Sequence, residues 1–175
     1  ISPEGVTIGN QVWSLLPGGN EQQPLQVCTG GGPGFMEAGN YGASQVPGSK
    51  SIGVAVKLPF ETDLNPFLDP DHGITVNSFY ARKYWEVYAV KAMICCPGGF
   101  GTLDEMFESL TLIQTQRMKP IPFLLFGRAF WERIIDWDFL AEAGTISPED
   151  LKLFRFVETA EEAVELILNW DHSAA

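Results

Sequence analysis

Two glycine-rich turns and one pair of adjacent cations are where residue type and spacing could do chemistry in this chain. The first turn is Thr29-Gly30-Gly31-Gly32-Pro33-Gly34-Phe35-Met36-Glu37, and the second is Pro97-Gly98-Gly99-Phe100-Gly101-Thr102-Leu103-Asp104-Glu105. Glycine lets a backbone approach a ligand closely and adopt positive φ. A helix that follows such a turn offers unpaired N–H groups and the positive end of its dipole, which suit phosphate. In the second turn the amides from Gly99 to Thr102 could cradle that phosphate. The Thr102 hydroxyl could cap the helix or bind a phosphate oxygen. Glu105 falls one turn into the helix, where the dipole keeps a carboxylate ionised. Asp104 points about 100° away from it, so the two are not an obvious acid pair. Plainer readings stand beside these. The first turn could be only a tight strand-to-helix connection, and Glu105 could merely complete a capping box with Thr102.

Arg82 and Lys83 stand out because the chain holds 11 Lys+Arg against 22 Asp+Glu, a formal net charge of −11. Arginine grips phosphate or carboxylate in a bidentate way. In isolation the better reading of this pair is a solvated helix face on which Arg82 meets Glu86. The acid excess argues against general nucleic-acid binding, which needs a basic face. It leaves room for one small phosphate ligand, because a local site can overrule the global charge. No apolar run approaches the roughly 20 residues of a membrane span. Cys28, Cys95 and Cys96 are an odd set, two of them adjacent in an apolar run. They read as buried thiols of a reducing compartment, not as a disulfide framework or a zinc site.

The elements that must position these groups alternate. A short apolar run over 25–28 leads into the first turn, and a helix is expected over 33–44. Strands are expected over 51–56 and 74–76, with a proline-broken loop over 59–71 between them. A helix over 78–90 has Tyr80, Tyr84, Val87 and Tyr88 spaced for one apolar face. A buried strand over 92–96 feeds the second turn, and a helix follows over 102–116 with an apolar stripe of Leu103, Met106, Phe107, Leu110 and Ile113. Then come a strand over 121–126, a Trp-rich helix over 130–139, a helix start capped by Ser147, and a strand over 153–157. A last helix, capped by Thr159, runs to about 170 and buries Ala163, Leu166 and Ile167. Apolar strands alternating with helices imply an α/β fold, a Rossmann-like doubly wound parallel sheet with helices on both faces. Ligands of such sheets sit beyond the carboxyl ends of the strands, where both glycine turns fall. Residues 1–24 are weakly patterned, although 11–16 could end a helix. At 175 residues the chain reads as one domain that lacks an N-terminal strand or extension.

Taken together, the Gly30–Ala38 turn, Arg82-Lys83 and Pro97–Glu105 resemble the LOG family of cytokinin riboside 5′-monophosphate phosphoribohydrolases, often labelled lysine decarboxylases. The resemblance runs in order over about 27–164, and the PGGxGTxxE element with its preceding Arg-Lys pair is its specific part. Residues 58–61 and 110–115 look like the larger bacterial branch. The resemblance implies a single nucleotide-binding domain over 1–175 that hydrolyses the N-glycosidic bond of a nucleoside 5′-monophosphate, AMP or a cytokinin nucleotide. It implies Glu105 as the catalytic carboxylate and Arg82 as its partner. It implies Lys83, Gly99, Phe100, Gly101, Thr102, Thr111, Gly31, Gly32, Gly34, Met36 and, more weakly, Glu61 around the nucleotide. It further implies no metal or other cofactor, a cytoplasmic enzyme, and a homodimer or larger homo-oligomer with neither nucleic-acid nor membrane partners. Candidate dimer faces are Tyr80–Tyr88 and the Leu103–Ile113 helix.

Two other readings compete. Amino-acid decarboxylation usually needs a pyridoxal Schiff base on lysine, and no lysine here sits in a recognisable site for one. A non-catalytic nucleotide or molybdenum-cofactor carrier could use the same glycine turns. Such a carrier has no need of both Glu105 and Arg82.

Overall fold

The computed structural model describes residues 26–56, 64–88 and 90–171, and the chain divides into two compact units, Ile1–Val90 and Lys91–Ala175. The expectations for residues 1–25 and for Glu61 lie outside the described residues.

The first unit runs β1 (Val27–Thr29), α1 (Phe35–Ser44), β2 (Ser51–Val56), β3 (Gly73–Val76) and α2 (Phe79–Tyr88). Its strands form a parallel three-stranded sheet in the order β1-β2-β3, with Val27 opposite Ser51 and Val54 opposite Ile74. Helix α1 packs on β1 and β2, and α2 packs on β2 and β3. The central strand is the best buried, while the edge strands expose Cys28 and Ile74. Cys28 as a residue thus shows surface, although protein surrounds its thiol closely enough to raise its pKa. Helix α1 starts at Phe35, not at Pro33, because Gly34 takes φ 76° and ψ −124° and breaks the chain direction between them.

The second unit runs β4 (Met93–Cys95), α3 (Phe100–Gln114), β5 (Phe123–Phe126), α4 (Arg128–Ile134), α5 (Trp137–Glu142), a 3₁₀ turn (Pro148–Lys152), β6 (Arg155–Val157) and α6 (Ala160–Leu168). Its sheet is again parallel and three-stranded, in the order β4-β5-β6. All four residues of β5 are buried, as a central strand covered on both faces requires.

The expected helix over 130–139 is two helices. Ile135 is extended, and the Asp136 carboxylate accepts from the Phe139 N–H at 3.0 Å to start α5. Trp131 and Trp137 explain the break. Six residues apart, they would point about 120° from each other on one continuous helix. Separating the helices buries both, at 0% and 8% exposure. Trp137 then packs against Phe154 with ring centroids 4.5 Å apart and the rings tilted by 45°.

The buried stripe of α6 is Ala160, Ala163, Val164 and Ile167, and Leu166 is exposed instead of buried. The carboxylate of Glu162 accepts from the Thr159 N–H at 3.4 Å, and Thr159 Oγ1 accepts from the Glu162 N–H at 3.2 Å. That is a capping box. Tyr80 and Tyr84 on α2 are exposed, and so is Phe107 in the α3 stripe, where Ser109 is buried with Met106 and Ile113. Parallel strands carrying helices on two successive three-stranded sheets make this an α/β, Rossmann-like fold.

Candidate active site

Both glycine turns lie at the carboxyl end of a strand and open a helix, as expected. In the first unit the turn is clamped from below by buried amides. Asn40 is fully buried in α1. Its Oδ1 accepts from Thr29 Oγ1 at 2.6 Å and from Asn65 Nδ2 at 2.9 Å, and its Nδ2 donates to Ser51 Oγ at 2.9 Å. Asn65 also donates from Nδ2 to the Gly31 carbonyl at 3.1 Å and from its backbone N–H to the same oxygen at 2.9 Å. The Gly31 N–H donates to Thr29 Oγ1 at 3.0 Å. Both backbone groups of Gly31 are thus bonded within the protein, so this residue shapes the turn. Its φ of 76°, with Leu64 Cδ2 only 2.9 Å from where a Cβ would stand, requires glycine.

Met36 lies against the turn: a Cβ on Gly32 would stand 2.7 Å from its Cε. Gly34 is exposed, with open space around it, and caps α1 without a side-chain hydrogen bond. Arg82 reaches the same turn. A Cβ on Gly30 would stand 2.9 Å from Arg82 Nη2, and Arg82 Nε donates to Glu86 Oε1 at 3.1 Å. The pairing with Glu86 matches the plainer sequence reading, but the face is not solvated, since the two side chains are 15% and 13% exposed. Lys83 follows, half-buried, on the same helix. A cavity of about 240 Å³, lined by Ser44, Ser51, Phe67 and Asp69 among others, opens at the amino end of β2, the end of the sheet away from this turn.

In the second unit α3 begins at Phe100 with Gly99 as its N-cap, two residues earlier than expected. Thr102 is therefore inside the first turn, and the capping box between Thr102 and Glu105 does not form. No side chain caps this helix. Its opening amides, from Phe100 to Thr102, point out of the helix end as an anion site requires. Phe100 is 92% exposed and Gly101 is exposed beside it. A Cβ on Gly98 would stand 2.7 Å from Thr102 Cβ and nearer still to its hydroxyl, whereas Gly99 has open space. The Thr102 side chain thus folds back over Gly98.

Glu105 is half-buried and Asp104 exposed, which separates the two carboxylates as helix geometry demands. Burial first, then the neighbouring Cys96 and the Glu105 charge, raise the Cys95 thiol well above its ordinary range. Glu105 is therefore near enough to Cys95, the last residue of β4, for its charge to act on that thiol. Thr111 is exposed, donates its hydroxyl to the Phe107 carbonyl at 2.7 Å, and lies about 16 Å along the helix from Phe100.

The family model described as "possible lysine decarboxylase" matches residues 36–167. The chain belongs to this family. It is the LOG family that the motifs resemble, and the match spans α1, Arg82-Lys83 and the complete second turn. No curated protein matches the chain. Membership makes a nucleotide-hydrolase type of enzyme the family context of this site. The motifs of this LOG-family chain did not reveal Asn40 or Asn65. A signal existed for Asn40: asparagine is a poor residue for a helix interior unless its amide has partners.

Proposed function

We propose that this protein hydrolyses the N-glycosidic bond of a purine nucleoside 5′-monophosphate, AMP or a cytokinin riboside monophosphate, to the free base and ribose 5-phosphate. The observation that carries the reading is the second turn: a glycine-capped helix end without a side-chain cap, with half-buried Glu105 one turn further into the helix. Water adds to the anomeric carbon, the bond to the base nitrogen breaks, and the base leaves with a proton. Positive charge builds on the ribose in the transition state, as in glycoside hydrolysis. Glu105 stabilises that charge or orients the water. By motif, Arg82 is its partner, and Lys83 with Gly99–Thr102 binds the substrate.

Helix-end amides hold the phosphate and so fix the ribose in place. The proposal includes a cytoplasmic enzyme, consistent with three free thiols. Among the described residues no helix is long and apolar enough to cross a membrane. It includes a homodimer as well, for which exposed Tyr80 and Tyr84 offer aromatic surface.

The test is release of ribose 5-phosphate from AMP and from isopentenyladenosine monophosphate. Glu105→Gln is expected to lower kcat at least a hundredfold. Activity unchanged by that substitution would overturn the catalytic assignment. Tight nucleotide binding without turnover by the unmodified chain would favour a carrier.

A further inference from the structure

We propose that Gly30 is a positioning residue for Arg82: the space left by its missing side chain seats the guanidinium against the backbone of the first glycine turn. This turn then serves as the rest for an arginine, while the nucleotide phosphate stays with the second turn. The part that Arg82 plays in the reaction rests on the function proposed above; its seat on Gly30 does not.

The backbone does not demand glycine at this position. Gly31 and Gly34 have φ of 76°, which favours glycine, but Gly30 is not among the residues with positive φ. The demand comes from the space beside it. A Cβ on Gly30 would stand 2.9 Å from Arg82 Nη2, 3.4 Å from Arg82 Cζ and 2.9 Å from Met36 Sδ. The guanidinium therefore rests where any larger residue would place its first carbon.

The seat is itself held in place. Asn65, only 9% exposed, donates from Nδ2 to the Gly31 carbonyl at 3.1 Å, the Gly32 carbonyl at 3.2 Å and Asn40 Oδ1 at 2.9 Å. The Gly31 N–H donates to Thr29 Oγ1 at 3.0 Å. The residues that follow Gly30 are thus tied to β1, to α1 and to the loop before β3, all within the first unit. Arg82 comes to this seat from α2 with its side chain 15% exposed. A side chain with so many rotamers is useful only where packing selects one of them. A shift of about 1 Å in such a group can cost about a hundredfold in rate.

The experiment compares the full-length protein with Gly30→Ala and Asn65→Asp. The readouts are ¹⁵N spectra of the arginine side chains, thermal melts, and kcat and KM for release of ribose 5-phosphate from AMP. The methyl group of Gly30→Ala meets only the ends of two long side chains, which can move aside, so the fold is expected to survive. The Arg82 Nε–H signal is expected to shift, kcat to fall at least tenfold, and KM to stay within threefold because the phosphate is held elsewhere. Asn65→Asp keeps the shape but sets a carboxylate against the same three oxygens, which releases the turn from its other side. The same shift and the same loss of kcat are expected, with a lower melting temperature. Adding Met36→Ala to Gly30→Ala relieves the sulfur contact alone and is expected not to restore the Arg82 signal.

An unshifted Arg82 signal in Gly30→Ala would overturn the seat, and so would its restoration by Met36→Ala. A shifted signal with wild-type kcat, or a loss confined to KM, would overturn the positioning role. Should Gly30→Ala not fold, the Arg82 signal and kcat of Asn65→Asp decide in the same way. A shifted signal in Gly30→Ala, with no ribose 5-phosphate released by the wild type, would sink the hydrolase reading and leave the seat of Arg82 standing.

Discussion

Asn65 donates from Nδ2 to Asn40 Oδ1 at 2.9 Å, and this amide-to-amide bond ties the loop before β3 to helix α1 directly under the first glycine turn. Its value lies in what each partner does next. Asn40 also holds Thr29 and Ser51, and Asn65 also holds the Gly31 and Gly32 carbonyls. The turn is thus shaped by buried polar groups that have protein partners, which is the condition under which such groups are tolerated in an interior.

Asn40→Ala is expected to remove the acceptor of the Thr29 hydroxyl, the donor to the Ser51 hydroxyl and one acceptor of the Asn65 amide. Losing three hydrogen bonds to a fully buried amide costs about 2–4 kcal/mol here, against at most about 0.5 kcal/mol for an ordinary surface change. Urea denaturation followed by circular dichroism measures it. A change below about 0.5 kcal/mol would mean the network contributes nothing.

The two glycines that open the second turn are expected to differ. Gly98→Ala drives a Cβ to 2.7 Å from Thr102 Cβ and must push the strand end away from helix α3. Gly99→Ala meets nothing within 4 Å, at φ −93°. Gly98→Ala is expected to weaken AMP binding at least tenfold and to destabilise by about 1–3 kcal/mol, the range for overpacking. Gly99→Ala is expected to change stability by less than about 0.5 kcal/mol. Thermal melts of the two variants, read side by side, decide it.

The thiols are expected to be slow nucleophiles at neutral pH. Burial pushes Cys96 up to about 11. Cys28 shows surface on β1, yet the protein around its thiol, and then the Glu86 carboxylate, push it up to about 11 as well. The fold therefore favours the neutral thiol. That contribution to stability is complete below the unfolded value of about 8.5 and is lost as pH rises through about 11. Iodoacetamide labelling at pH 7.5 is expected to be much slower than for an unfolded control, and stability is expected to decline between pH 8.5 and 11. Rapid labelling of the folded protein at pH 7.5 would contradict it.

Trp131 is fully buried and donates from Nε1 to the Phe126 carbonyl at 3.0 Å. Trp131→Phe removes ring volume and leaves that carbonyl without its donor, for an expected loss of about 2–3 kcal/mol. Asp136→Ala, which removes only the cap of α5, is expected to cost about 1 kcal/mol. Equilibrium unfolding should rank them in that order.

The alternation of apolar runs with amphipathic stretches was enough to read most of the strands and helices from composition and spacing alone. So was the placing of two glycine turns at strand ends, because that rule depends on chain direction and not on distant contacts. Strand limits were legible only roughly. Residues 92 and 121 are apolar enough to extend their strands, but the paired register runs from Met93–Phe123 to Cys95–Leu125. The break at Ile135 was not legible, because the demand for it comes from two tryptophans that must both reach the interior.

The sequence by itself determined the α/β class, the chemistry available at the second turn and the family, since the PGGxGTxxE spacing states which atoms a helix end can present. Tertiary structure alone decided how those residues are held. It bonded Gly31 internally, moved the start of α3 to Phe100 and so removed the capping box, and brought Asn65 to Asn40 across 25 residues. It also placed Glu86 and Gly30 on either side of the Arg82 guanidinium. The physical reason is that periodicity and turn chemistry are local, whereas a buried hydrogen bond or a steric limit depends on which distant segment fills the space beside it.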